Sequence, residues 1–500
     1  MSDHWHDDPH SLQALKARYG ERYRWLLLLS VMLGTMASVM SSTIMNVGIP
    51  DMSHHFALNP ARAQWVTSGF MVAMTVGMLL TPWMLSRFGY RRTYQLCMWL
   101  LLAGGLAGGV SPWYAGALLA RVVEGLAAGV VQPIPVVIIM NAFAPDERGK
   151  ASGFFGTGVV MAPAIGPSIG GILVDAFGWR SIFFMVAPLA LTALWLARRY
   201  VPTTAPGGLK AGQHGGQLDG VGLLLSLSGT VLLLVGLVGW REAGAVRGLP
   251  LLVLAVTVAL VFVSWQKRLQ HKRRHDPQAQ APLMDLRVFG HRSFAMGSLV
   301  AITYGTALFG STYLLPVYMQ SGLGLSASYV GSALLPAGLM LALTITLVGR
   351  WSDRASKPRL VMVGLALLAA SFGLMSTVDP DHGLLALWLW VILGRVGLGF
   401  ILPSLNLGAM WGMPPAFITQ GSSVINFMRM LGGAVGVSLC AIVLEWRLDA
   451  AGIAHLSAGD GLARLQAFRE TFWFLSALTA LAIWPATRLG GQAVRATHKE

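Results

Sequence analysis

Between Trp25 and Leu489 one apolar run follows another, each about 20 residues long and parted from the next by a short polar turn. A bilayer core about 30 Å thick is crossed by a helix of that length. Inside hydrocarbon every backbone N–H and C=O must be satisfied within the protein, so such runs fold as helices. Composition agrees: 55% of the residues are hydrophobic and only 11% are charged, far from a soluble average. The expected fold is all-α and integral to the membrane. Polar breaks place the spans near 25–47, 64–85, 93–111, 113–140, 150–172, 181–199, 220–240, 249–266, 293–318, 327–349, 360–378, 384–410, 420–445 and 468–489, about fourteen in all.

Lys and Arg orient the chain. With both termini cytoplasmic, the inner turns collect Arg87, Arg91, Arg92, Arg148, Lys150, Arg198, Arg199 and Lys210. Gln266 to His275, Arg350 to Arg359, and the tail with Arg488 and Lys499 also fall inside, whereas Asp379 to His382 falls outside. Arg241, Arg247, Arg447, Arg464 and Arg469 run against the rule. The net charge of +15 is therefore expected to set topology and meet anionic lipid, and it calls for no nucleic acid. Cys97 and Cys440 lie inside apolar runs, so neither a disulfide nor a thiolate metal site is expected. The first run is too long, and begins too late, for a cleavable signal. His4, His6, Asp7, Asp8 and His10 crowd the N-terminal arm, and a disordered tail is expected there rather than a metal site.

The chain repeats itself. Arg121 to Pro133, "RVVEGLAAGVVQP", and Arg395 to Pro403, "RVGLGFILP", each set an intramembrane Arg four residues before a Gly, with a Pro beyond. The turns "SRFGYRR" (Ser86 to Arg92) and "SDRASKPR" (Ser352 to Arg359) echo each other in the same way. Parallel repeats build a central site that opens to alternate sides. The expected organisation is an arm at 1–24, a six-helix bundle at 25–199, a linker with an inserted helix pair at 200–292, a second six-helix bundle at 293–489 and a tail at 490–500.

Several of these residues resemble a known family. "TPWMLSRFGYRR" looks like the cytoplasmic signature G-x-x-x-D-R-x-G-R-R of the major facilitator superfamily, and "GVVMAPAIGPSIGG" (Gly158 to Gly171) looks like its antiporter motif. "GWRSIFF", "YLLPVYMQ" and "NFMRMLGGAVG" are similar to its fourteen-span drug/proton antiporter branch, the EmrB/QacA type. The resemblance implies a bacterial inner-membrane exporter that needs no cofactor and no metal. It also implies a cytoplasmic charge latch, here Ser86, Arg87, Gly89, Arg91, Asp353 and Arg354. The family's Asp at that turn is Ser86, so the latch is weakened in the first half, while Asp353 keeps it in the second. In span five, Gly166, Gly170 and Gly171 are expected to admit a neighbouring helix closely, and Pro163 and Pro167 to bend the segment into a rocking seam.

The family's span-one signature resembles L-D-x-T-I-V-N-V-A-L-P. This chain reads "MSSTIMNVGIP": Thr43, Ile44, Asn46, Val47 and Pro50 match, but the acid has become Ser41. Glu124 in span four is the one carboxylate well inside the membrane in the first half, three residues after Arg121 and on the same helix face. Two readings stand. Either Glu124 has taken over the proton, or it forms a permanent ion pair that merely neutralises Arg121.

Candidates to line a substrate cavity are Ser41, Thr43, Asn46, Gln132, Arg395, Asn406, Met410, Asn426 and Arg429, with methionines suited to an adaptable pocket. A deep carboxylate with an Arg beside it disfavours strongly cationic substrates. The leading expectation is a polyspecific drug exporter, exchanging an amphiphilic small molecule for protons by alternating access. The alternative is a narrow exporter of one metabolite or siderophore without such coupling. A periplasmic adaptor and an outer-membrane channel are the partners some relatives use. An enzyme is not expected, because the cytoplasmic turns carry no catalytic cluster.

Overall fold

The structure is a computed structural model and describes residues 9–58, 60–206, 211–212, 216–276, 279–378, 384–452 and 461–490. Among these there is no strand, as backbone chemistry in hydrocarbon requires. The main helices are α1 (Leu12–Tyr19), α2 (Tyr23–His55), α3 (Trp65–Val110), α4 (Tyr114–Val131), α5 (Ile134–Ala142), α6 (Arg148–Phe177) and α7 (Ser181–Tyr200). They continue as α8 (Gly220–His275), α9 (Arg292–Val317), α10 (Ala327–Arg354), α11 (Lys357–Met375), α12 (Leu384–Ala409), α13 (Pro415–Ala450) and α14 (Gly461–Leu481).

Eleven helical stretches among the described residues are long and apolar enough to cross a membrane. Spans two and three of the sequence reading run as one stretch in α3, joined through Gly89 at φ +74°. Helices α6 and α14, at the fifth and fourteenth predicted spans, are not among the eleven. Fourteen crossings thus remain a sequence expectation, while the helices themselves are observed. Several overshoot their apolar runs: α2 runs on through Pro50 to His55, and α8 runs on to His275. Span four breaks at Gln132 and Pro133, where proline removes the backbone donor that would continue α4 into α5.

Ser11 caps α1 by accepting the Ala14 amide at 3.2 Å, and the His10 carbonyl accepts the Thr203 amide at 3.1 Å. The chain is thus structured from His10 onward, whereas most of the stretch expected as a disordered tail lies outside the described residues. His4, His6, Asp7 and Asp8 lie outside the described residues, as do Lys210, Asp379 to His382 and Lys499.

The chain forms two compact units. The first comprises Met1–Leu227, Val261–Leu286 and Pro414–Phe427, and the second Ser228–Leu260, Arg287–Met413 and Met428–Glu500. In the first unit α2 packs on α6 and α7, and α3 packs on α4. A knot of Ile44, Met52, Val66, Ala117, Trp179 and Phe183 closes one end of this unit. Buried polar groups are satisfied locally: Tyr94 donates to the Ser30 carbonyl at 2.7 Å and Thr81 to the Val130 carbonyl at 2.9 Å. In the second unit α11 lies on α12, with a Cβ added at Gly397 reaching within 2.7 Å of the Gly364 carbonyl, a backbone-to-backbone approach typical of small residues in membranes. Thr306 of α9 donates to the Gly432 carbonyl of α13 at 2.9 Å, and Ser476 of α14 to the Ala369 carbonyl of α11 at 2.8 Å.

Candidate functional site

Three residues meet deep in the first unit. Arg121 and Glu124 are one helical turn apart on α4, so both project toward α2, where Ser41 is buried in mid-helix. Arg121 Nη1 donates to Glu124 Oε2 at 2.5 Å and to Ser41 Oγ at 2.6 Å, and Nη2 donates to the Ser41 carbonyl at 3.0 Å. Ser41 Oγ in turn donates to Glu124 Oε2 at 3.2 Å. Both ionic side chains are sealed from solvent, Arg121 at 2% exposure and Glu124 at 0%. The Arg121 guanidinium lies 4.1 Å from the Phe70 ring centroid, a cation–π contact that shares the cost of burying the charge. The other carboxylate oxygen, Oε1, accepts no hydrogen bond among the described residues.

Room for the carboxylate comes from α3. A Cβ added at Gly104 would lie 2.6 Å from Glu124 Cγ, and one at Gly105 3.2 Å from Oε1. Phe70, Gly104 and Gly105 were absent from the sequence reading. The signal available was the paired glycines of "AGGLAGG" (Ala103 to Gly109), whose partner helix is invisible in one dimension. Chemically, the cluster is one carboxylate, one permanent cation and one hydroxyl that both accepts from the cation and donates to the acid. It can hold or release a proton only at Glu124, since Arg stays charged.

The other candidates are dispersed. Thr43 bonds back to its own helix through the Met40 carbonyl at 3.2 Å, and Asn46 is exposed, accepting from Thr67 at 3.2 Å. Gln132 is buried at the α4 break, and Asn426 donates to the Ser422 carbonyl at 2.8 Å. In the second unit the charges of Arg395 and Arg429 both act on the Tyr304 hydroxyl. Asn406 is half-buried farther along α12, and Met410 is buried just past its end.

The turn around Gly89 in the first unit is gripped through its backbone. The Tyr90 amide donates to the Thr204 carbonyl and the Arg91 amide to the Pro202 carbonyl, each at 3.0 Å, and the Gly212 amide donates to the Ser86 carbonyl at 2.9 Å. Arg87 is exposed, and the Ser86 hydroxyl bonds back to the Trp83 carbonyl at 2.9 Å. In the second unit the Asp353 carboxylate acts on Lys357, whose ammonium lies 5.0 Å from the Trp411 ring centroid, while Arg354 ends α10.

Helix α6 turns its glycines to α2. An added Cβ would fall 3.0 Å from Met32 Cγ at Gly158, 3.1 Å from Met40 Cγ at Gly166 and 2.5 Å from Ile44 Cγ1 at Gly170. At Gly171 it would meet nothing within 4 Å. The close approach expected of Gly171 therefore does not occur; one residue past Gly170, it points about 100° away around the helix. The helix runs unbroken through Pro163 and Pro167, and the Pro167 side chain lies outside the described residues.

With this geometry in hand, the comparisons with known proteins are direct. A family model described as Major Facilitator Superfamily matches residues 31–223 and 218–437. A multidrug resistance protein B homolog of Mycobacterium tuberculosis is 27% identical over 437 residues, covering 86% of this chain and 78% of its own. The multidrug export protein EmrB of Haemophilus influenzae is 26% identical over 418 residues, covering 83% and 79%. Among solved structures, the proton:xylose symporter XylE superposes with a TM-score of 0.65 at 13% identity, covering 93% of this chain and 95% of its own, a likeness of fold.

Proposed function

Because the chain belongs to the Major Facilitator Superfamily, and is thus a multi-pass membrane transporter, we propose that it exports lipophilic or amphiphilic compounds by alternating access in exchange for protons carried on Glu124. The multidrug names of its relatives support the cargo class. One observation carries the coupling: the Glu124 carboxylate lies against Ser41, the position where the span-one signature sets an acid. The carboxylate has moved to another helix while keeping its place beside the α2 backbone.

Protonation of Glu124 removes the charge that offsets Arg121, so the protonated and ionised states favour different packings of α2 against α4. That difference is what a coupled transporter requires: each ligand must bind one conformation better than the other. The glycine face of α6 on α2 supplies a seam along which such a change can pass, and the turn around Gly89 anchors its cytoplasmic edge. The chain sits in the bacterial inner membrane with both termini cytoplasmic.

The test is proton release from inverted vesicles, read with a pH-sensitive dye as a panel of amphiphiles is added. The wild type should respond to many compounds, and Glu124→Gln to none. An equal response from Glu124→Gln would leave the pair structural and overturn the assignment of the proton.

A further inference from the structure

The two halves repeat an arginine but not its acid. Arg121 is followed at the third position by Glu124, whereas the repeat-related Arg395 is followed there by Leu398. Among the described residues Arg395 makes no hydrogen bond and no ion pair, although it is half-buried on a membrane-spanning helix. Among the described residues of the second unit, Glu445 lies 3.6 Å from Arg241, Glu470 pairs with Arg447, and Asp353 acts on Lys357.

Around Arg395 the structure gathers further donors. Helices α9 and α13 meet backbone to backbone where a Cβ at Gly305 would lie 2.9 Å from the Gly433 amide nitrogen, and this crossing sets Tyr304 beside Arg429. Tyr304 is 2% exposed, and it is the group on which both guanidinium charges act. Seven residues on, and therefore on the same face of α9, Ser311 lines a narrow cleft together with Arg395, Ser371, Leu315, Phe372 and Met375. One wall of that cleft is charged and hydroxylic; the other is aliphatic and aromatic. Arginine cannot shed its charge, and an intramembrane ionisable residue marks a functional site by default.

We propose that Arg395, with Arg429 and the Tyr304 hydroxyl beside it, binds the anionic head of an amphiphilic substrate, a carboxylate or sulfonate. This assignment rests on the exporter reading for its purpose and names the substrate class. Binding, however, needs neither a gradient nor Glu124, so the two can fail separately.

The experiment uses the full chain in nanodiscs of zwitterionic lipid and three fluorescent probes with one apolar body: 11-(dansylamino)undecanoic acid, its primary amide and its trimethylammonium analogue. Titrations should show the acid binding about tenfold or more tighter than the amide, and the cation weakest. Arg395→Gln should bring the acid-to-amide ratio to about one while leaving amide binding in place, the sign of a folded protein; Arg395→Lys should retain part of the preference. An acid-to-amide ratio near one in the wild type, a preference for the cation, or an undiminished acid preference in Arg395→Gln would overturn the proposal. Silence in the vesicle assay with an intact acid preference would remove the proton coupling and keep the anion site. Proton release by neutral amphiphiles without acid preference would do the reverse.

Discussion

A buried charge is only as stable as the partner it keeps, and Glu124 illustrates this. Its carboxylate is held by Arg121 and Ser41 within one cluster sealed from solvent. Replacing Glu124 by Ala should cost about 3–5 kcal/mol, because Arg121 is left buried without an anion, whereas the joint replacement Arg121→Met with Glu124→Leu should cost far less. Thermal unfolding in detergent separates the two outcomes. The same geometry makes a gain-of-function prediction: Ser41→Asp in the Glu124→Gln background places a carboxylate within reach of Arg121 again and should restore proton release. A second buried acid was missed altogether by sequence. Asp219 caps α8 through the Gly222 amide at 2.8 Å and accepts from Trp265 Nε1 at 2.9 Å and Gln266 Nε2 at 2.7 Å, tying the two ends of the inserted helix pair together. Asp219→Ala leaves those donors unmet and should lower stability by about 3 kcal/mol.

At the level of the element, glycines decide where helices turn and how closely they lie. Gly89 adopts φ +74°, ψ 176°, a conformation nearly closed to other residues, and its missing Cβ leaves space for the Thr203 carbonyl. Gly244, at φ +68° and ψ −164°, faces open space. Gly89→Ala should therefore destabilise by about 2–3 kcal/mol, through strain and collision together, and Gly244→Ala by less, through strain alone; melting curves of the two variants, measured side by side, test the difference. This contrast also explains what could be read from the chain. Helix existence was legible, since apolar runs in hydrocarbon have no other fold available. The identity of Gly89 as a turn was legible from its motif, and Glu124 stood out as the lone carboxylate in its surroundings. Which glycine faces which helix was not: Gly171 looked as useful as Gly170, and Gly104 and Gly105 carried no mark of their contact with Glu124. Those facts depend on helix rotation, which local sequence leaves undetermined when every face is apolar.

Taken as a whole, the molecule is electrically lopsided between its repeats. The first holds a neutralised Arg121 with Glu124, and the second holds Arg395 and Arg429 around a tyrosine. If the first carries the proton and the second the anionic head of the substrate, the direction of charge movement follows. A proton entering the cell moves one positive charge inward, and a monoanion leaving moves one negative charge outward, so both run with an inside-negative potential. Each elementary charge gains about 2.3 kcal/mol per 100 mV. A monoanionic substrate exchanged for one proton therefore draws about twice the electrical driving force of its neutral amide. Collapsing the membrane potential with valinomycin and potassium, at a fixed pH gradient, should then slow export of 11-(dansylamino)undecanoic acid more than export of its amide in right-side-out cells. Arg395→Gln should lower export of the acid relative to that of the amide. Equal sensitivity of the two probes in the wild type would mean that the anion does not travel charged, and the division of labour between the repeats would have to be abandoned.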